Sequence, residues 1–268
     1  MSRPIQLIVN ADDFGFTRDV NEGIVQAHQR GILTATTLMA NGEAFEHAVE
    51  LAKRTPTLDV GCHLAMVQGV SVLHPGRPMP ATVAELIGAL IRREIQPYEE
   101  ARAQVQKIVD AGIEPSHIDT HKHTHLLPPV LDAVVRVARE FGIGWVRRPF
   151  DFGIGPGVKV GKKAVAVGMR LLKPRFAAKL GALRSTDYFT GFQITGSLNA
   201  ASLVETLERL PEGTTEFMCH PGYLGTELAA AKTRLKQSRA DELAALTSAE
   251  ARAMIDRRGV RLVRYRDL

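Results

Sequence analysis

Ile5-Gln6-Leu7-Ile8-Val9-Asn10-Ala11-Asp12-Asp13 opens the chain with a run of β-type residues that stops at two adjacent acids. Three later stretches repeat the arrangement. Leu58-Asp59-Val60 leads into Gly61-Cys62-His63, His117-Ile118 into Asp119-Thr120-His121-Lys122-His123-Thr124-His125, and Thr215-Glu216-Phe217-Met218 into Cys219-His220-Pro221. In parallel α/β folds ligands bind at the carboxyl ends of strands, so four such ends, far apart in sequence, can converge on one site. Strand-like runs at 5–10, 35–39, 59–64, 117–119, 144–147, 215–219 and 260–264, with an ambiguous eighth near Asp187–Phe189, alternate with helical patterns. This βαβ rhythm predicts an α/β barrel of seven or eight strands, with a doubly wound open sheet as the alternative. Helices are expected at Asn21–Arg30 before Gly31, over Pro97–Asp110, from Pro128-Pro129 onward, and as one element from Asp241 to Ile255.

Composition narrows the class. A chain of 268 residues, 45% hydrophobic and 24% charged, is ordinary globular material, and one barrel domain over 1–268 is the simplest division. Neither G-x-G-x-x-G nor G-x-x-x-x-G-K-[ST] follows the first strand, so the main reason to infer nucleotide binding is missing. Met1-Ser2-Arg3-Pro4 runs straight into that strand, and no stretch approaches 18 apolar residues; a cytoplasmic, soluble protein is expected. Cys62 and Cys219 are too few for a disulfide framework. If His63 and His220 face a site, the preceding cysteines face the opposite side of their strands, toward helices.

The net charge of +5 is local. Between Phe152 and Thr186 lie Lys159, Lys162, Lys163, Arg170, Lys173, Arg175, Lys179 and Arg184 and no acid, so the rest of the chain is net acidic. A general nucleic-acid partner is therefore not expected. Val165, Met169, Leu172, Phe176, Leu180 and Leu183 recur at helical steps in this segment, at about residues 152–186. A basic amphipathic insertion making peripheral contact with membrane lipid is one reading. A barrel helix with a solvated basic face is the other, and Pro174 would kink a continuous helix.

Adjacent carboxylates at an apolar strand end are costly unless a cation accompanies them, and a divalent metal is an effective partner. One acid can ligate while the other handles protons. His121, His123 and His125 alternate at period two and project to one side if the backbone stays extended. An aspartate with two histidines suits hydrolysis on zinc or a similar divalent ion. A barrel glycosidase using Asp12 and Asp119 competes, but leaves the histidines unexplained. A membrane-binding or metal-binding protein without catalysis is the reading from another class.

The segments Ile8-Val9-Asn10-Ala11-Asp12-Asp13-Phe14-Gly15, Asn21-Glu22-Gly23-Ile24, Gly61-Cys62-His63, Ile118-Asp119-Thr120-His121 with His123 and His125, and Met218-Cys219-His220-Pro221 resemble, in order, the YdjC-like family of carbohydrate deacetylases. Within it the chain is most similar to the hopanoid-biosynthesis-associated branch. The resemblance implies a distorted TIM-like barrel that removes the acetyl group from an N-acetylated amino sugar, with one divalent ion, zinc or magnesium. It also implies Asp13, His63 and His121 as metal ligands, Asp12 as general base and His220 as general acid. His125 stays open as an alternative third ligand. Lys122 departs from the family pattern, where a histidine is frequent. The sugar could be lipid-linked or a soluble chito-oligosaccharide.

Overall fold

A computed structural model describes residues 3–153 and 160–268, with the side chains of Val160, Lys162 and Lys163 excluded. The predicted strands are all present: β1 (Ile5–Phe14), β2 (Ala35–Leu38), β3 (Asp59–Leu64), β4 (His117–Thr120), β5 (Trp145–Val146), β6 (Tyr188–Thr190), β7 (Gly213–Cys219) and β8 (Arg261–Leu262). Seven of them form one parallel sheet in the order β5-β4-β3-β2-β1-β7-β6, and β8 pairs with the start of β1. Parallel bridges Trp145–Arg184 and Asp151–Phe189 join the two outer flanks, so the sheet curls into a TIM-like half-barrel wrapped by helices. The doubly wound alternative is thereby set aside.

Three local expectations change. The helix expected over 241–255 is two, Gln237–Leu246 and Ala249–Arg258, because Ser248 accepts a hydrogen bond from Ala251 N and caps a new start. The basic segment likewise forms two helices, Val160–Arg170 and Lys173–Leu180, with Pro174 seated in the first turn of the second, where a missing N–H costs nothing. Met169, Phe176 and Leu180 of its apolar stripe are buried in the main core, whereas Val165, Val167, Leu171 and Leu172 are exposed. Lys159 and the Ile154–Gly157 part of the expected loop lie outside the described residues. Finally, His121–Leu126 is a 3₁₀ segment, broken by left-handed backbone at Lys122 and His123. The period-two reading of the three histidines therefore fails.

Side chains fill the curled sheet in layers. Ile8, Ala35, Trp145, Val263 and Tyr265 form an apolar floor. His117 stacks on Tyr265 with centroids 3.9 Å apart and contacts Asn10 Oδ1 through Nε2 at 2.9 Å. Gly61 makes room for that ring, since a Cβ there would lie 2.5 Å from it. Cys62 and Cys219 are buried free thiols, and Cys62 belongs to the main core, as expected.

Above His117 the interior is ionic. Arg147, one residue beyond β5, is fully buried and bonds both oxygens of Asp12 (2.7 and 2.8 Å), Asp119 Oδ2 (2.6 Å) and Glu216 Oε1 (2.6 Å). One cation faces three carboxylates. Burial, with Asp119 nearby, raises Glu216 from its ordinary 4.5 to about 7 despite Arg147.

Two consequences can be measured. Arg147→Met leaves buried carboxylates without a counter-charge and should cost about 3–5 kcal/mol in urea unfolding, whereas a loss under about 1 kcal/mol would contradict the assigned role. Between about pH 4.5 and 7 folded Glu216 keeps a proton that the unfolded chain releases, so this group makes stability fall as pH rises through that window. Glu216→Gln should bring the urea midpoints at about pH 5 and about pH 8 closer together than in the wild type. An unchanged gap would refute the buried-acid assignment.

Candidate metal centre and active site

Adjacent residues of a regular strand point to opposite faces, so Asp12 and Asp13 cannot both face the barrel mouth without a break in the pleat. The break is present. The pairing of β1 with β2 shifts register between Ala11 and Phe14, and Asp13 takes a left-handed φ of 69°. This β-bulge turns the second acid toward the first. Asn21 fixes the turn that follows, accepting from Gly15 N at 2.6 Å and donating to Ala44 O at 3.0 Å.

Three ligand-capable atoms meet beside that bulge. Asp13 Oδ1 lies 3.4 Å from His63 Nε2 and 3.2 Å from His121 Nδ1, and the two ring nitrogens are 3.3 Å apart. A tetrahedral ion with bonds of about 2.0–2.1 Å holds its ligands about 3.3 Å apart, so the triangle has the size such an ion requires. Asp13 Oδ1 is buried and makes no well-formed hydrogen bond among the described residues. The groups behind the triangle orient it. Asp119 Oδ1 accepts from His63 Nδ1 at 2.6 Å, which directs Nε2 inward, and Gln68 Oε1, 3.0 Å from His121 Nε2, leaves Nδ1 toward the centre. Arg239 holds the other oxygen of Asp13. Burial opposes charge on His63, but Asp119, Asp13 and Asp12 outweigh it and raise its pKa from 6.5 to about 10. Positive charge is favoured at this spot, and the donor set fits a divalent ion. A second set, Asp12, His63 and Asp119, also comes within ligand range, but Arg147 occupies both of its acids.

Asp12 and His220 stand beside the triangle. Burial alone would raise the pKa of Asp12, yet the Arg147 guanidinium, with His63 and His220, holds it well below the ordinary carboxylate range. His220 Nε2 is 3.9 Å from Asp12 Oδ2, and its Nδ1 is 3.9 Å from Glu242 Oε2, which accepts from His220 N at 2.5 Å. Burial depresses His220 to about 4 despite both aspartates, so the imidazole is neutral near pH 7. Asp12, Asp13, His121 and His220 border a cavity of about 660 Å³, with Met218, Phe192 and His123 on its wall.

His125 is elsewhere. Its Nδ1 pairs with Thr120 Oγ1 at 2.6 Å and its Nε2 with the carbonyl of Arg147 at 3.1 Å, so both nitrogens are committed to the fold. Arg147, Arg239 and Glu242 were not anticipated. Arg147 follows Trp145-Val146, so the strand-end rule that flagged the other four segments, applied to β5, would have found it. Arg239 and Glu242 sit on a helix that begins at Gln237, four residues before the start read from sequence.

A parallel half-barrel with an Asp-His-His triangle and a cavity at its carboxyl mouth is the architecture of a barrel enzyme. The chain belongs to the YdjC-like protein family, which it matches over residues 6–257. A carbohydrate deacetylase of Brevibacillus brevis is 35% identical, over 98% of this chain and all of the relative. A chitooligosaccharide deacetylase of Salmonella typhimurium is 30% identical, with 98% of each chain covered. An Enterococcus faecalis V583 protein of known crystal structure superposes with a TM-score of 0.78 at 25% identity, covering 98% of both chains.

Elemental analysis should find about one divalent ion per chain, lost in Asp13→Asn, His63→Ala or His121→Ala and retained in His125→Ala. Asp119→Ala should weaken metal affinity by about 10- to 100-fold. Full metal content in a His63→Ala, His121→Ala double variant would refute the triangle.

Proposed function

We propose that the chain is a metal-dependent hydrolase that removes the acetyl group from an N-acetylated amino sugar and releases acetate. The observation that carries this reading is the Asp13, His63, His121 triangle with Asp12 and His220 on the same cavity. The names borne by the Brevibacillus and Salmonella relatives supply the substrate class. A divalent ion held by the triangle would supply Lewis acidity toward the acetamide carbonyl and an attacking water.

The remaining chemistry belongs to the side chains. Asp12, kept anionic and immobile by two bonds from Arg147, is oriented to accept the proton of the attacking water. The departing nitrogen must be protonated, because an amide anion is too poor a leaving group, and in this reading His220 is its proton donor. His220 is neutral at rest, so it must first receive a proton, and Asp12 Oδ2 at 3.9 Å is the near source. That gap is too long for a hydrogen bond in the free protein and short enough to close around substrate. One proton thus passes from water through Asp12 and His220 to the nitrogen, the carbon–nitrogen bond breaks to give the free amine and acetic acid, and the acid releases its proton to leave as acetate.

We further propose that the amino sugar is lipid-linked, as in the hopanoid-associated branch, and that the protein meets the cytoplasmic face of a membrane. The support lies in helices Val160–Arg170 and Lys173–Leu180. Leu171 is 79% exposed next to exposed Leu172, Lys173 and Arg175, with Val165 and Val167 also exposed. Three other cations of the segment are engaged: Arg170 bonds the carbonyls of Asp151 and Gly153, Lys179 pairs with Asp132, and Arg184 reaches Leu268 O. No helix among the described residues is long and apolar enough to cross a membrane, so the contact would be peripheral. A soluble chito-oligosaccharide is the alternative substrate.

Asp12→Asn and His220→Ala should keep their metal and lose on the order of 100-fold or more in acetate release from N-acetylglucosamine conjugates. Near wild-type turnover in either would remove its role. For the lipid reading, the native chain should co-sediment with anionic liposomes more strongly at low than at high salt, and a Leu171→Glu, Leu172→Glu variant should not. Equal, negligible binding by both would favour a soluble sugar.

A further inference from the structure

The turn between His121 and His125 is built against local preference. Lys122 (φ 54°, ψ 27°) and His123 (φ 52°, ψ 36°) are consecutive left-handed residues, and neither is glycine. Such conformations are unfavourable for side chains with a Cβ and persist where the surroundings impose them, as they do at ligand sites. Here both ends of the turn are pinned. His125 is held through both ring nitrogens, and its N–H donates to Thr120 Oγ1 at 3.0 Å, while His121 is held by Gln68. Between these anchors Lys122 turns out to solvent and His123 turns in.

The His123 ring is 8% exposed and borders the cavity that holds Asp12, Asp13 and His220. It lies 5.8 Å from Phe189, edge to face, and 5.7 Å from Phe192. Its neighbours in the barrel are fully engaged: His63, His117 and His125 each use both nitrogens. His123 Nδ1 is buried with no hydrogen-bond partner among the described residues. An uncompensated polar atom on an imposed backbone, in a side chain that borders the cavity of the reactive groups, is a feature that packing alone does not call for.

We propose that His123 is a substrate-positioning residue whose imidazole hydrogen-bonds a ring hydroxyl of the amino sugar. A hydroxyl can donate or accept, so it satisfies either tautomer of the imidazole. Phe192 gives that sugar an apolar wall, and the contact sets the acetamide over Asp12 and the metal triangle. His123 thereby selects a sugar over a simple acetamide. This rests on the deacetylase reading.

The test compares wild type with His123→Phe, which keeps the aromatic packing and loses the ring nitrogens, and His123→Gly, which adopts the left-handed backbone without strain. His123→Asn tolerates that backbone and retains a polar group. Metal content and thermal midpoint are measured on each, with chitobiose binding by calorimetry and KM for its deacetylation. The expected result is full metal content, a retained fold, and a loss on the order of 10-fold in chitobiose affinity and in kcat/KM for Phe and Gly, carried mainly by KM, with partial recovery in Asn. Unchanged chitobiose affinity in both folded Phe and Gly variants would overturn the contact while leaving the deacetylase reading intact. Loss of metal in those variants would reassign His123 to the metal centre. A wild-type chain that neither binds nor deacetylates N-acetylated sugars would overturn both readings.

Discussion

One buried guanidinium organises the top of this barrel. Arg147 binds Asp12 through two nitrogens, reaches Asp119 and Glu216, and through its carbonyl holds His125. Asp119 in turn orients His63, and His125 pins the turn that bears His121. The proposed base, one proposed ligand and the loop carrying another therefore depend on one residue. Removing a charge from water is costly, and Arg147 is tolerable there because each of its neighbours is itself a buried acid in need of a cation.

The balance is incomplete, and that incompleteness is useful. With Asp13 included, the mouth of the barrel holds more carboxylate than Arg147 and Arg239 neutralise. The excess shows in His63, raised to about 10 by its carboxylate neighbours against burial. A surplus of negative charge next to two imidazoles is what a divalent ion would compensate. His220 lies 3.9 Å from Asp12, and although both aspartates favour its charged form it is buried enough to rest neutral.

The strands were legible as short apolar or β-branched runs, four of them carrying polar residues at or near their carboxyl ends. The convergence of Asp12, Asp13, His63, His121 and His220 followed from the rule that parallel strands present their carboxyl ends together. Period-two reasoning failed at residues 121–125, because Lys122 and His123 take a left-handed turn that only tertiary anchors impose. Strict alternation would also have sent Asp12 and Asp13 to opposite faces, and the bulge that unites them is a feature of how β1 pairs with β2. Arg147 follows β5 as polar residues follow other strands, but its enclosure by Asp12, Asp119 and Glu216, which come from three other strands, is set by the tertiary fold. The helical period of the amphipathic stripe is present in the sequence, but which of its members are buried is set by the break at Leu171-Leu172 between the two helices.

The central claim is that these residues hold a divalent ion and hydrolyse the N-acetyl group of an amino sugar. Its most direct test is mass spectrometry of acetyl loss from a panel of soluble and lipid-linked N-acetylhexosamines, run with the native chain, the chelated chain and the chelated chain resupplied with zinc or magnesium. The account predicts a mass decrease matching one acetyl group, abolished by chelation and restored by metal. Deacetylation that survives complete metal removal, or no acetyl loss from any member of the panel, would contradict it.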